Sequence, residues 1–316
     1  MESAPQLQTQ SSEELSLYGL FSLFLENWLT LVISGFSFAI IALLWSLSLA
    51  DVYKAETLLM PVAEDSSSLG GLSGDLGGLA AVAGLSLGEG GDENSKLALE
   101  LMESYAFIGE FIEENDLIVP IMAGRNWDRE SDTLFIDPEI YDKSSKTWVR
   151  AAKPPRKQVP STQEAFEEFK QMLEIEQDPK TKFITLSIEF YSPTLAAEWA
   201  SKFVAKINDE IRMMDRDEAS DSIAYLEKIA EESRVHELRK AFTSLMEEQI
   251  KSRMLTEIRK DYVFKVVDPA IAPELKDKPK RSIIIIIAGF IGGIVGLIII
   301  LFRTGRKEHL ARRSSI

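Results

Sequence analysis

His236-Glu237 opens like the helical zinc-protease pattern, in which two histidines four residues apart flank a glutamate, but Leu238-Arg239-Lys240 follows and the second histidine is missing. The other histidine, His309, lies in the C-terminal tail. The chain has no cysteine, which removes thiol nucleophiles, cysteine metal sites and disulfides. No G-x-x-x-x-G-K-[ST] run is present, so its glycines do not form that phosphate cradle. Acid pairs such as Glu113-Glu114, Glu167-Glu168, Glu231-Glu232 and Glu247-Glu248 are adjacent in sequence. Neighbours on a helix point about 100° apart, so these carboxylates do not converge on one atom. They read as solvated faces, with Glu247 and Lys251 at helical pairing distance. No catalytic, cofactor-binding or metal-ligating residue emerges. The expectation is a non-enzyme.

The glycines near the C-terminus carry a different chemistry. Gly289-x-x-x-Gly293 and Gly292-x-x-x-Gly296 are overlapping small-residue motifs within an uncharged run, residues 282–302. Such motifs let helices approach closely inside lipid. The partner is open at this point: the first apolar helix, a second copy, or another protein. A hydrocarbon core about 30 Å thick needs about 20 apolar residues in a helix, so the 21 residues of 282–302 are long enough to span. Residues 28–49, "WLTLVISGFSFAIIALLWSLSL", form a second uncharged run of 22. Ser48-Leu49-Ala50 resembles a cleavage site, but residues 1–27 hold no Lys or Arg and the apolar run is too long for a signal peptide. An uncleaved anchor is expected.

Two spans place both termini on one side. The tail 303–316 carries five Lys or Arg and one Glu, which favours the cytoplasm. Lys276, Lys278, Lys280 and Arg281 flank the other side of the same span, but long domains translocate largely regardless of charge. The expected organisation is a cytoplasmic segment 1–27, span 28–49, a large extracytoplasmic domain 50–281, span 282–302 and a basic cytoplasmic tail 303–316. Residues 1–27 contribute −4 and the tail +4, leaving −15 for the rest. Nucleic acid needs a basic footprint and is not an expected partner.

Within the domain, "DVYKAETLLMPV" alternates as a half-buried strand does. Residues 66–92 hold nine of the 18 glycines and predict a loop or loosely held short helices. Leu97, Leu101, Tyr105, Ile108 and Ile112 then predict one helical stripe. After Pro154, Pro155 and Pro160, Ser161 and Glu164 form a capping box ahead of a helix, and "KFITLSIEF" predicts a strand. Ser192-Pro193 opens a long helical region, 193–260, with Trp199, Phe203, Ile207, Ile211 and Met214 on one face. Val235, Leu238, Phe242 and Leu245 keep coiled-coil spacing. As one straight helix this region would reach about 100 Å; one break is expected. "YVFKVVDP" then returns as a strand able to pair with those at 53 and 183.

This layout resembles the polysaccharide co-polymerases, and among them the Wzz-type O-antigen chain-length determinants. The matching pieces are "VYKAETLLMPV", "ITLSIEFYSPTLAAEWASKFVAKIN" and "YVFKVVDPAIAPELKDKPKRSIIIIIAGFIGGIVG". Pro269, Pro273 and Pro279 match the family's proline-rich segment before the second span, at looser spacing. The resemblance implies an α+β fold: two terminal transmembrane helices frame a periplasmic domain with a small mixed sheet at the base and long extended helices. It implies a non-enzymatic homo-oligomer in the bacterial inner membrane. Such an oligomer regulates the length of a surface polysaccharide made by a separate membrane polymerase, with lipid-linked polysaccharide as a further contact. No counterpart of the tyrosine-kinase domain of some relatives follows residue 302. A structural subunit of a capsule or exopolysaccharide exporter shares the architecture and is the alternative. A receptor would need a cytoplasmic output module, for which neither short end has room.

Overall fold

The computed structural model describes residues 27–62, 90–233, 235–258 and 261–314. It is mixed α+β, and the chain divides into two compact units: one is Met1–Ala50 with Lys278–Ile316, the other Asp51–Asp277. The chain enters as helix α1 (Trp28–Ser48), which is long and apolar enough to cross a membrane.

The central unit begins with β1 (Tyr53–Pro61), where Ala55, Thr57 and Leu59 are buried on one face. The glycine-rich stretch falls outside the described residues except for its last three, which begin α2 (Gly90–Met102). Helix α3 (Tyr105–Glu114) follows, and here the expected continuous stripe fails. Ser104 accepts a hydrogen bond from the Phe107 N–H at 3.2 Å and starts a new helix, so the apolar face is reset. Ala98 and Met102 are buried before the break, and Phe107, Ile108, Phe111 and Ile112 after it. Leu97 and Tyr105 are left 40% and 52% exposed.

Short helix α4 (Ile118–Ala123) leads to two hairpins built alike, β2 (Gly124–Asp128) with β3 (Thr133–Ile136) and β4 (Tyr141–Asp142) with β5 (Thr147–Trp148). In each turn an aspartate accepts from a serine hydroxyl three residues on, Asp128 from Ser131 and Asp142 from Ser145. That serine pairs with a threonine two residues later, at 2.6 Å in both turns. The intervening Asp132 and Lys146 take left-handed φ values of 48° and 53°. The serine hydroxyls hold both aspartate carboxyls below their ordinary value, aided by backbone N–H groups.

Helix α5 (Thr162–Met172) is capped by Ser161, which accepts from the Glu164 N–H at 3.3 Å. The Glu164 carboxylate is turned mainly to Arg150, 2.8 Å away, and is held below its ordinary value by that guanidinium. Strands β6 (Leu173–Gln177) and β7 (Ile184–Phe190) form the next hairpin. Helix α6 (Pro193–Glu232) begins at Ser192, whose hydroxyl accepts from the Leu195 N–H. Helix α7 (His236–Ile258) packs back along α6, and β8 (Phe264–Asp268) closes the unit.

The main sheet has the order β6-β7-β1-β8. All three ladders are antiparallel, which corrects the expected mixed sheet. The strand within "YVFKVVDP" pairs with β1 and not with β7, because β6 and β1 already occupy both edges of β7. Trp199, Phe203, Ile207 and Ile211 are buried over this sheet together with Phe107, Phe111 and Phe169. Phe203 meets both Phe107 and Phe111 edge to face at 5.1 Å between ring centres. Met214, assigned to the same face, is exposed because α6 has by then passed the aromatic cluster.

The 40 residues of α6 extend about 60 Å. Among the described residues the long region breaks once, between Glu232 and His236, and folds into a hairpin. Its seam differs from the expected coiled-coil stripe: Leu245 is buried and Phe242 half-buried, while Val235 and Leu238 are exposed. Small residues on α6, Ala219 and Ala230 beside Leu226, supply the facing surface. The chain ends in α8 (Arg281–Ser314), whose segment Arg281–Arg303 is the second helix able to cross a membrane.

Asn208 joins α6 to the returning chain. Its side chain, 5% exposed, accepts from the N–H groups of Val263 and Phe264, both at 2.9 Å. It donates to the Phe264 carbonyl at 3.0 Å. Replacing Asn208 by Ala strips partners from buried backbone groups, which costs about 3 kcal/mol. The full chain in detergent should then melt roughly 6–12 °C lower by tryptophan fluorescence. Lys202→Ala removes only an exposed pair with Glu198 and should leave Tm nearly unchanged.

Candidate functional site

The terminal unit is built on the antiparallel contact of α1 and α8, and glycine decides how close they come. A Cβ at Gly292 would stand 2.7 Å from the Phe38 Cβ and 2.9 Å from the Gly35 Cα and Ser34 carbonyl oxygen. Those are atoms near or on backbone, which cannot swing aside. A Cβ at Gly296 would meet the Ser34 Cβ at 3.0 Å, and one at Gly289 would be at ordinary contact, 4.0 Å from the Ala39 Cβ. The Ser34 hydroxyl donates to the Gly292 carbonyl at 2.7 Å, a polar tie across the two helices. In lipid, such contact relies on packing and interhelical hydrogen bonds, because apolar side chains gain nothing by leaving the hydrocarbon.

Gly293 departs from its three companions. A Cβ there meets nothing within 4 Å, so a side chain at 293 points away from α1, although the Gly293 backbone nitrogen lies 3.8 Å from where a Cβ at Gly35 would stand. The helix rotation explains this, since Gly292 and Gly293 are about 100° apart. The facing residues on α1 are Ser34, Gly35 and Ala39, with Ala42 and Ser46 buried farther along. Sequence reasoning passed over them, although Gly35-x-x-x-Ala39 and Ala42-x-x-x-Ser46 carry the same small-residue spacing.

The prolines do not gather at these glycines. Pro269 and Pro273 belong to the central unit, on the stretch leaving β8, and Pro279 to the terminal one. That stretch is tied back to the start of the domain. The Thr57 hydroxyl donates to the Asp268 carbonyl at 2.8 Å, and the Asp277 N–H to the Val52 carbonyl at 2.9 Å. Lys276 pairs with Asp51 at 2.8 Å.

Among the described residues of the central unit, acid–base chemistry has one local candidate. Asp215 on α6 accepts from the Tyr262 hydroxyl at 2.6 Å and from the Asn94 amide at 3.0 Å. Burial pushes its carboxyl above the ordinary value, and these two hydrogen bonds offset only part of that. The cluster joins α2, α6 and the approach to β8, so its geometry is that of a structural joint. A groove lined by Tyr105, Glu110, Glu113, Thr162 and Glu210 has the Glu110 and Glu113 carboxylates engaged. Thr162 donates to Glu113 at 2.6 Å, and Lys206 lies 3.2 Å from Glu110. Among the described residues no group of three metal-ligating side chains comes together.

Comparison with known families places one part of the chain. Residues 235–305 match the model of the GNVR family, described as "G-rich domain on putative tyrosine kinase". The matched segment runs from α7 through β8 and the proline stretch into the glycines of α8. No curated protein matches the chain. Among solved structures, a "full-length bacterial polysaccharide co-polymerase" aligns over 92% of this chain and 98% of its own, at 13% identity and a TM-score of 0.37. A fragment of WzzB, a polysaccharide co-polymerase from Salmonella Typhimurium, aligns over 72% of this chain and 100% of its own, at 12% identity and a TM-score of 0.31.

The helix contact makes a specific cross-link. The 4.0 Å between a Gly289 Cβ and that of Ala39 suits a disulfide, and the chain has no cysteine to interfere. Ala39→Cys/Gly289→Cys should oxidise within one chain, seen as a gel shift without dimer. Adding Gly292→Leu should cut the yield several-fold, whereas Gly293→Leu should leave it intact.

Asp215 predicts a pH dependence of opposite sign to that of a salt-bridged carboxylate. Its folded pKa is raised, so the ionised form costs stability at neutral pH, and the cost fades as pH falls through that pKa. Asp215→Asn should therefore unfold at higher urea than wild type at pH 7. The difference should close towards about pH 3.9, the ordinary carboxylate value.

Proposed function

We propose that this chain is a polysaccharide co-polymerase of the chain-length-determinant type. It is a non-enzymatic, two-pass scaffold of the inner membrane, with residues 50–281 in the periplasm and both termini in the cytoplasm. It acts as a homo-oligomer beside a separate membrane polymerase that extends the O-antigen of lipopolysaccharide on a lipid carrier. The observation that carries this reading is the family match over 235–305. It joins the strand that closes the base, the proline segment and the glycine-bearing span in a single continuous stretch, in a chain whose two apolar helices pair at backbone distance.

In this role, length control depends on subunits that keep a fixed geometry while the polymer grows. The paired helices are the natural place to enforce it, because Gly292 and Gly296 leave little freedom for the two spans to shift against each other.

Deleting the gene and restoring variants from a plasmid tests the proposal on a gel of extracted lipopolysaccharide. Wild type should restore a modal cluster of long chains, and Gly293→Leu should do the same. Gly292→Leu should insert and express but give short, unregulated chains. If deletion leaves the length distribution unchanged, chain-length control is ruled out. Loss of all surface polysaccharide would instead favour the exporter subunit.

A further inference from the structure

Outside the two spanning helices, the most exposed large apolar side chains among the described residues are Leu275 at 83% and Ile271 at 69%. A single exposed leucine on a surface is ordinary. These two are set apart by their place. They sit four residues apart on the stretch between β8 and α8, where Pro269, Pro273 and Pro279 interrupt backbone pairing.

The stretch is held where lipid must be near. Lys276 is paired with Asp51, and the Asp277 N–H donates to the Val52 carbonyl. Asp51 is only three residues beyond Ser48, the last residue of α1. Even fully extended, three residues reach about 10 Å. On the other side Leu275 stands six residues before Arg281, the first residue of α8, a reach of about 20 Å at most. Leu275 is thus tethered through short chain to the ends of both spanning helices. The headgroup region on each side of a bilayer is roughly 5–8 Å deep, the difference between a core of about 30 Å and a full thickness of 40–45 Å.

Charge is arranged for the same surface. Lys276, Lys278, Lys280 and Arg281 follow Leu275 towards the span, with Asp277 among them, while Glu274 and Asp268 lie on the side of the domain. Cations next to the span suit lipid phosphates, and long basic side chains extend to headgroups while apolar neighbours sink below them. The rest of the chain is strongly acidic, so this local basic stretch is what an anionic leaflet would accept.

We propose that Ile271 and Leu275 insert into the bilayer interface and give the protein a third, monotopic membrane contact between its two spans. The inference rests on α1 and α8 crossing the membrane. Its effect is to fix the depth of the proline segment at the lipid surface.

The cysteine-free sequence allows a direct test on the full chain in nanodiscs of phosphatidylcholine and phosphatidylglycerol. Nitroxide labels go on Ile271→Cys and Leu275→Cys, with Glu274→Cys as the water-facing reference and Ile286→Cys as the lipid reference. Power saturation then compares relaxation by oxygen with relaxation by a water-soluble nickel chelate. Positions 271 and 275 should respond severalfold more to oxygen than to nickel relative to position 274. If they follow position 274 while position 286 reports lipid, the interfacial contact is wrong and the spanning helices stand. If they are shielded from both reagents, a protein surface covers them and the proposal fails. If position 286 itself responds to nickel, the spanning reading fails and the proposal with it.

Discussion

The close approach of Gly292 to Gly35 and Ser34 is the constraint on which the terminal unit depends. Lipid removes the hydrophobic reason for two apolar helices to associate, so what remains is surface fit at backbone distance and one hydrogen bond, Ser34 to the Gly292 carbonyl. That contact joins residues more than 250 positions apart in sequence. It makes a closed loop of the chain before the central unit adds anything.

The central unit solves the same problem with different physics. Its first and last residues meet through the Asp51–Lys276 pair and the Asp277–Val52 hydrogen bond. Behind them β1 lies between β7 and β8, so the earliest strand of the unit is flanked by much later ones. Water is present here, and exposed ion pairs add little. Strength comes from the aromatic packing of Phe107, Phe111, Phe169 and Phe203 and from Asn208, whose amide answers three backbone groups at the point where the chain returns. The ends are thus gathered twice, once by packing of small residues and once by a sheet.

Polar groups in the interior act as joints in this arrangement. Asn208 and Asp215 lie on the same helix and each reaches the segment 262–264, one through its amide and one through the Tyr262 hydroxyl. Asp215 pays for its site with a raised pKa, whereas Asn208 is neutral and fully bonded. The difference predicts a pH-dependent joint at Asp215 and a truncation-sensitive one at Asn208.

Much of this was legible in the residues alone. An uncharged run of about 20 residues is a property of the linear chain, so both spans could be read from it. Alternation in "YKAETLLMP", the cap at Ser192-Pro193 and the serine at 161 are local as well, and the elements start where those signals stand. Order in space was not local. Ser104 reset a stripe that looked continuous, because a cap decides rotation and periodicity cannot show it. The break between Glu232 and His236 has neither proline nor glycine to announce it, and the twin hairpins at 124–148 are too short for a periodic signal. Overlapping glycine motifs declared a packing surface without its partner. Which glycines touch α1, and that Gly293 turns away from it, depends on the rotation of one helix against another, a relation that exists only once the two ends of the chain have met.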